Sequence, residues 1–163
     1  MIIRKAVPGD LIAINEIYNQ AVLQGFCTAH LQPVDREYRE QWFAGHPPEF
    51  FPVFVAETDM GVAGWISLSP YRQGRQAFAH VCEVSYYVHR DARRKGIGSS
   101  MMEYAIRIAP DYGFDVLIAI LLDRNPASLA LLEKNGFARW GAMPGIARIG
   151  QHSADHLYYG LKL

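Results

Sequence analysis

The chain has 163 residues, 50% of them hydrophobic and 20% charged, which suits one soluble globular domain with a sizeable core. Its 16 basic residues balance 16 acidic ones, so a broad basic surface for nucleic acid is excluded and any positive field must be local. Cys27 and Cys82 form no CxxC and no disulfide framework, no apolar run reaches about 18 residues, and Met1-Ile2-Ile3-Arg4-Lys5 carries no apolar leader. The expectation is a cytoplasmic protein with reduced thiols, no exported leader and no membrane span.

In chain order, a first strand is expected over Met1 to Ala6. The turn Pro8-Gly9-Asp10 then opens a helix, with Asp10 near its cap and Ile14, Ile17, Tyr18 and Ala21 on one face. The irregular segment Gln24 to Pro33 leads to a second helix from Asp35 to Phe43. Phe51 to Glu57 and Val62 to Ser69 flank Asp59-Met60-Gly61, a hairpin signal. A loop, Pro70 to Ala79, precedes a central strand, Val81 to Val88. A helix over Gly98 to Tyr112, a buried strand over Val116 to Leu122, and a helix opened by Asn125 and Pro126 and stopped by Gly136 follow. Late strands around Phe137 to Ala142 and Ala154 to Lys162 complete a mixed sheet with helices on both faces, an α/β (α+β) domain spanning 1–163. No repeat, low-complexity segment or linker interrupts it.

The segment richest in chemistry is Val84 to Ser99, where an apolar strand meets a glycine-punctuated basic turn that opens a helix. Gly96 and Gly98 let the backbone approach a ligand closely. Free amides at the helix N-terminus, backed by its dipole, satisfy anionic oxygens, and Arg93, Arg94 and Lys95 add cationic charge. This is a pattern for a pyrophosphate. A dinucleotide fingerprint is not met: Met101 stands where a third glycine belongs, and Asp115 opens the next strand, where an acidic residue at its end is required. No GxxxxGK[ST] loop is present.

The spacing Arg93-x-x-Gly96-x-Gly98 after a strand resembles the acetyl-CoA pyrophosphate loop of the GNAT superfamily of N-acetyltransferases. The strand Ile118 to Leu122, then Asn125, then a short helix ending in Gly136-Phe137, resembles that superfamily's other cofactor segment, and the order of elements resembles its fold, a mixed, mostly antiparallel sheet. The likeness extends to the phosphinothricin acetyltransferase branch through Tyr18-Asn19, Thr28, Pro33, Val53 to Glu57, Gly64-Trp65, Pro70-Tyr71-Arg72 and Glu83-x-Ser85-x-Tyr87-Val88.

The resemblance implies acetyl transfer from acetyl-CoA, a co-substrate, to the amine of a small amino-acid-like compound. An ammonium has no lone pair to attack a thioester, so a base is required, and Glu83 stands where the branch carries its glutamate. Main-chain groups of Tyr86, Tyr87 and Val88 would pair with the pantetheine amides. Arg93, Arg94, Lys95, Gly96, Ile97, Gly98 and Ser99 would hold the pyrophosphate, with Asn125 and Ser128 on the facing segment.

Arg72 and Arg75 fall where the branch places basic residues near its substrate, and guanidinium forks match carboxylate and phosphinate oxygens. Tyr18 and Thr28 join them as substrate candidates. Two departures stand out. Leu132 occupies a position where many members have Tyr, or this branch His, so it offers no proton to the departing thiolate; Ala29 replaces a common aromatic. The six histidines form no zinc pattern, and no metal is expected.

Two other readings fit the same residues. One is a GNAT enzyme for a protein N-terminus, polyamine or aminoglycoside, which the Arg72 and Arg75 loop disfavours. The other is a non-catalytic acyl-CoA-binding sensor. The branch also implies a homodimer, with the late strands and the Ile146 to His152 loop as contacts.

Overall fold

In the computed structural model, which describes all 163 residues, the alternating apolar segments build one seven-stranded sheet. Its strands are β1 (Ile2–Lys5), β2 (Val53–Thr58), β3 (Gly61–Pro70), β4 (Val81–Val88), β5 (Val116–Leu122), β6 (Ala138–Ile149) and β7 (His152–Lys162). The helices are α1 (Leu11–Gln24), α2 (Arg36–Ala44), α3 (Ile97–Ile108) and α4 (Pro126–Lys134). The sheet order is β1-β2-β3-β4-β5-β7-β6, with every neighbour antiparallel except β4 and β5, which run parallel.

Strand alternation divides the core into two layers. Phe54, Ile66, Leu68, Cys82, Val84, Leu117 and Ala119 meet Met101, Met102 and Ala105 of α3 and Leu132 of α4 on one face. On the other, Val53, Val55 and Trp65 meet Ile14, Ile17 and Tyr18 of α1. Gly64 is required for the first layer, because a Cβ there would stand 2.9 Å from both the Met101 Cε and the Tyr87 carbonyl oxygen.

The feature that positions the site lies at the sheet centre. β4 and β5 pair only at Val81↔Val116, Cys82↔Leu117 and Glu83↔Ile118. Beyond Glu83 they part, each held only by its outer neighbour: β4 follows β3 as far as Val88↔Gly64, and β5 follows β7 as far as Leu122↔His156.

Asp10 is the N-cap residue of α1, as expected, while its carboxylate takes a two-pronged contact from Arg4 at 2.7 and 2.9 Å and the Val7 amide at 2.9 Å, because a buried carboxylate gains more from a guanidinium than from a helix amide. Two local expectations are corrected. The helix expected to reach Tyr112 ends at Ile108, and Ala109–Tyr112 tightens into a 3₁₀ turn closed by left-handed Gly113. The late strands are longer than expected. Pro144 and Gly145 are absorbed by a register shift between Met143 and Ala147, so Ile146 to His152 is the end of one strand, a tight turn and the start of the next.

Candidate functional site

The parting of β4 and β5 opens a cleft of about 510 Å³. Its walls are the inner edges of the two strands, and its mouth is rimmed by the 93–99 turn, the first turn of α4 and the end of α1. Because β3 occupies only one side of β4, the backbone groups of Tyr86, Tyr87 and Val88 have a free edge facing this cleft.

The turn is shaped for an anion. Arg94 (φ 60°) and Gly96 (φ 82°) both lie in the left-handed region, a conformation that costs a non-glycine residue and recurs at ligand clamps. Ile97, Gly98 and Ser99 lie ahead of the Ser100 amide, which makes a 3.0 Å bond to the Gly96 carbonyl, so their N–H groups are free of partners within the helix. Gly98 also gives Leu131 of α4 its present place, since a Cβ there would stand 2.7 Å from Leu131 Cδ1 and push that side chain aside.

The basic residues divide by what holds them. Arg93 is half-buried and donates to Gln24 Oε1 at 2.5 Å and to the Val88 carbonyl at 3.4 Å, which ties the turn to α1 and β4. Arg94 is exposed at the rim, and Lys95 donates to the Asp91 carbonyl at 3.0 Å, so its ammonium is folded back on its own turn.

Across the cleft, Asn125 caps α4 by accepting from the Ser128 amide at 3.2 Å. Ser128 in turn meets β4, its Oγ hydrogen-bonded to the Tyr86 hydroxyl. Burial pushes the Tyr86 phenol up to about 12, so it stays protonated.

Glu83 occupies the last parallel pair, where the two strands part, next in sequence to the cleft-lining Val84. It is half-buried and has no hydrogen-bond or ion-pair partner in the chain. Burial alone raises its pKa, which makes its carboxylate a stronger base than an exposed one. By alternation Glu83, Ser85 and Tyr87 share the face on which α1 and α2 pack, while Cys82, Val84 and Tyr86 point to the α3 and α4 layer.

On that same face Tyr18 brings Thr28 into place. Its hydroxyl bonds Thr28 Oγ1 at 2.8 Å and His30 Nδ1, and its ring meets Tyr87 edge-on at 5.0 Å. Desolvation holds both the Tyr18 and Tyr87 phenols above their ordinary range. Arg72 and Arg75 lie on the exposed loop between β3 and β4, with neither guanidinium ion-paired; Arg72 sits 5.5 Å over the Tyr71 ring. No hydrogen bond joins them to Tyr18 or Thr28.

Sequence reasoning missed Arg39. Only 2% exposed, it lies 4.5 Å from the Tyr18 ring and 4.7 Å from the Trp42 ring, with Nε on Asn15 Oδ1 at 3.2 Å and Nη2 without a partner. Its signal was weak: an arginine three residues before a tryptophan in an otherwise polar helix. His46 was also missed; its two ring nitrogens meet the Trp42 carbonyl at 2.7 Å and Ser69 Oγ at 2.9 Å. No group of three or more His, Cys, Asp or Glu is arranged to hold a metal, and no helix is long and apolar enough to cross a membrane.

A cleft with a free strand edge, a basic anion-binding turn at its mouth and an unpaired carboxyl at the point where its strands part suits acyl transfer from a long phosphorylated carrier to an amine. Known proteins agree. The model of the acetyltransferase (GNAT) family matches residues 14–137. YwnH of Bacillus subtilis (strain 168) is 42% identical over all of this chain and 96% of its own length. L-amino acid N-acyltransferase MnaT of Escherichia coli (strain K12) is 37% identical over 90% of this chain and 84% of its own. The crystal structure of a GNAT superfamily phosphinothricin acetyltransferase from Sinorhizobium meliloti in complex with AcCoA superposes with a TM-score of 0.93 at 29% identity, covering 99% of this chain and 88% of that one. The chain therefore belongs to the acetyltransferase (GNAT) family and is an acetyl-CoA-dependent N-acetyltransferase.

Proposed function

We propose that the enzyme acetylates the primary amine of a small amino-acid-like compound, of the phosphinothricin or methionine sulfoximine type, by direct transfer within a ternary complex. The observation that carries this reading is Glu83: an unpaired, half-buried carboxyl whose pKa is raised, at the point where the strands part. Arg94 and the amides through Ser99 hold the pyrophosphate, Arg93 braces their turn against Gln24 and lends its charge, and Lys95 joins them by leaving the Asp91 carbonyl, while Tyr86, Tyr87 and Val88 on one side and Asn125 and Ser128 on the other flank the pantetheine. The two free guanidinium groups of Arg72 and Arg75 bind the acceptor's acidic group, and Tyr18 and Thr28 shape its wall. Glu83 takes the ammonium proton, directly or through water, and so frees the lone pair.

The acceptor class is supported by two of the three relatives above, one named for L-amino acids and one for phosphinothricin. The enzyme works in the cytoplasm as a homodimer; the dimer is supported by the exposed Trp140, Met143 and Ile146 of edge strand β6, and the mass in solution tests it. The acceptor is tested by following CoA release with phosphinothricin, methionine sulfoximine, ordinary amino acids, polyamines and short peptides. Turnover confined to the amino-acid-like compounds supports the reading. Turnover confined to polyamines or peptides refutes it, and acetyl-CoA binding without turnover on any of them favours a sensor.

A further inference from the structure

A thiolate leaving a water-poor cleft gains from a hydrogen-bond donor, and Leu132, fully buried in the α3 and α4 layer, offers none. The side chains lining the cleft that carry a hydroxyl are Ser85, Tyr86, Tyr87, Ser99 and Ser128. Ser99 belongs to the anion-binding end at the head of α3. Ser85 and Tyr87 alternate to the Glu83 face. Tyr86 remains: it points to the same layer as Leu132, lies between Glu83 and the 93–99 turn, and is fixed across the cleft by Ser128.

We propose that the Tyr86 hydroxyl, accepting from Ser128 Oγ and turning its one proton away from the long 3.5 Å contact with the Ser128 carbonyl, donates a hydrogen bond to the sulfur of the departing CoA, a role Leu132 cannot fill. The inference rests on the acetyl-CoA reading of the cleft but not on the identity of the acceptor. Glu83 passes the ammonium proton on to solvent and is a carboxylate again when the neutral amine's nitrogen bonds to the thioester carbonyl carbon. The carbonyl π pair moves to oxygen, and Glu83 takes the second proton that the nitrogen then sheds. Return of that pair breaks the carbon–sulfur bond and leaves its electrons on sulfur. Tyr86 keeps its proton, since a phenol at about 12 facing a thiol near 8.5 makes full transfer unfavourable by roughly three orders of magnitude. CoA leaves as a thiolate and takes its proton from solvent.

The test is binding rather than turnover. The dissociation constants of CoA and desulfo-CoA are measured by calorimetry for the wild type, Tyr86→Phe and Ser128→Ala at neutral and alkaline pH. The other ionisable side chains lining the cleft are Cys27, Tyr87, Arg93 and Arg94; they act on both ligands, so the preference for CoA over desulfo-CoA isolates the sulfur. In Tyr86→Phe that preference is expected to equal the wild type's at neutral pH and to fall about tenfold below it at alkaline pH, the worth of a hydrogen bond to a charged group. Ser128→Ala, which loosens the donor without removing it, should fall less.

A purely structural role for Tyr86 would weaken both ligands alike and leave the preference unchanged, which overturns the proposal. If Tyr86→Phe does not fold, an unchanged preference in Ser128→Ala overturns it, and a partial fall supports it. A fall in Ser128→Ala with none in Tyr86→Phe gives the role to Ser128 and likewise overturns it. A wild type that binds CoA and desulfo-CoA equally well at alkaline pH, with turnover intact, overturns only this inference; a wild type that binds neither removes the acetyl-CoA reading along with it.

Discussion

Replacing Glu83 by Gln keeps the shape and polarity of the side chain and removes the base. General-base removal costs about 10²- to 10⁴-fold in rate, or roughly 3–5 kcal/mol of barrier. The structure places no substitute beside it: its cross-strand partner on β3 is Ser69, the next pair on that face is Ser67↔Ser85, and His46 has both ring nitrogens engaged while burial holds its pKa down. The full loss is therefore expected in kcat, with little change in acetyl-CoA binding. Stability should move the other way. A carboxyl whose folded pKa is raised disfavours its own ionised form in the folded state, so the cost is absent below the unfolded value near 4.3 and appears as pH rises through the raised folded value. Glutamine carries no such cost, so thermal melts of the variant and the wild type should coincide in acid, with the variant ahead at neutral pH. Steady-state rates and melts across pH check both halves. A variant retaining more than about a tenth of wild-type kcat would refute the role as base, and a melting gap that does not widen with pH would refute the account of burial.

A Cβ at Gly98 would stand 2.7 Å from Leu131 Cδ1, so Gly98→Val pushes the Leu131 side chain and its own branched carbons into the cleft beside the anion-binding amides; the acetyl-CoA KM should rise at least about tenfold while kcat at saturation falls less, as initial rates would show. Leu132→Ala removes a fully buried side chain from the α3 and α4 layer, and a loss of about 2–5 kcal/mol is expected in urea melts. A loss under about 1 kcal/mol would mean that this layer closes over the gap.

The central elements were legible because their signals are local. β4 and β5 fall on the expected bounds, dense apolar runs flanked by polar residues, and Asn125-Pro126 marks the start of α4 as a cap and first turn should. The late strands were underread because Pro144, Gly145 and Gly150 look like breaks, whereas long-range pairing with β7 carries the chain through the first two as an irregularity. Arg39 was invisible for a different reason. A charged residue in a polar helix reads as solvated, and only the packing of α2 against α1 and β3 encloses it in aromatic rings. The same holds for the substrate candidates: Tyr18 and Thr28 meet through a fold that no spacing rule predicts, while Arg72 and Arg75 remain on an exposed loop.

The gap between β4 and β5 also bears on how this protein survives in a cell. Two strand edges with unsatisfied amides and carbonyls sit at the centre of the sheet, the arrangement that elsewhere invites pairing with a foreign chain. A ligand that fills the gap serves as the missing strand, and at a hundred times its dissociation constant it adds about 2.7 kcal/mol to stability, or roughly 5–10 °C in melting temperature for a chain of this size. Cells starved of acetyl-CoA should accordingly lose the enzyme faster to proteolysis and aggregation, so that its lifetime follows the supply of the molecule it consumes.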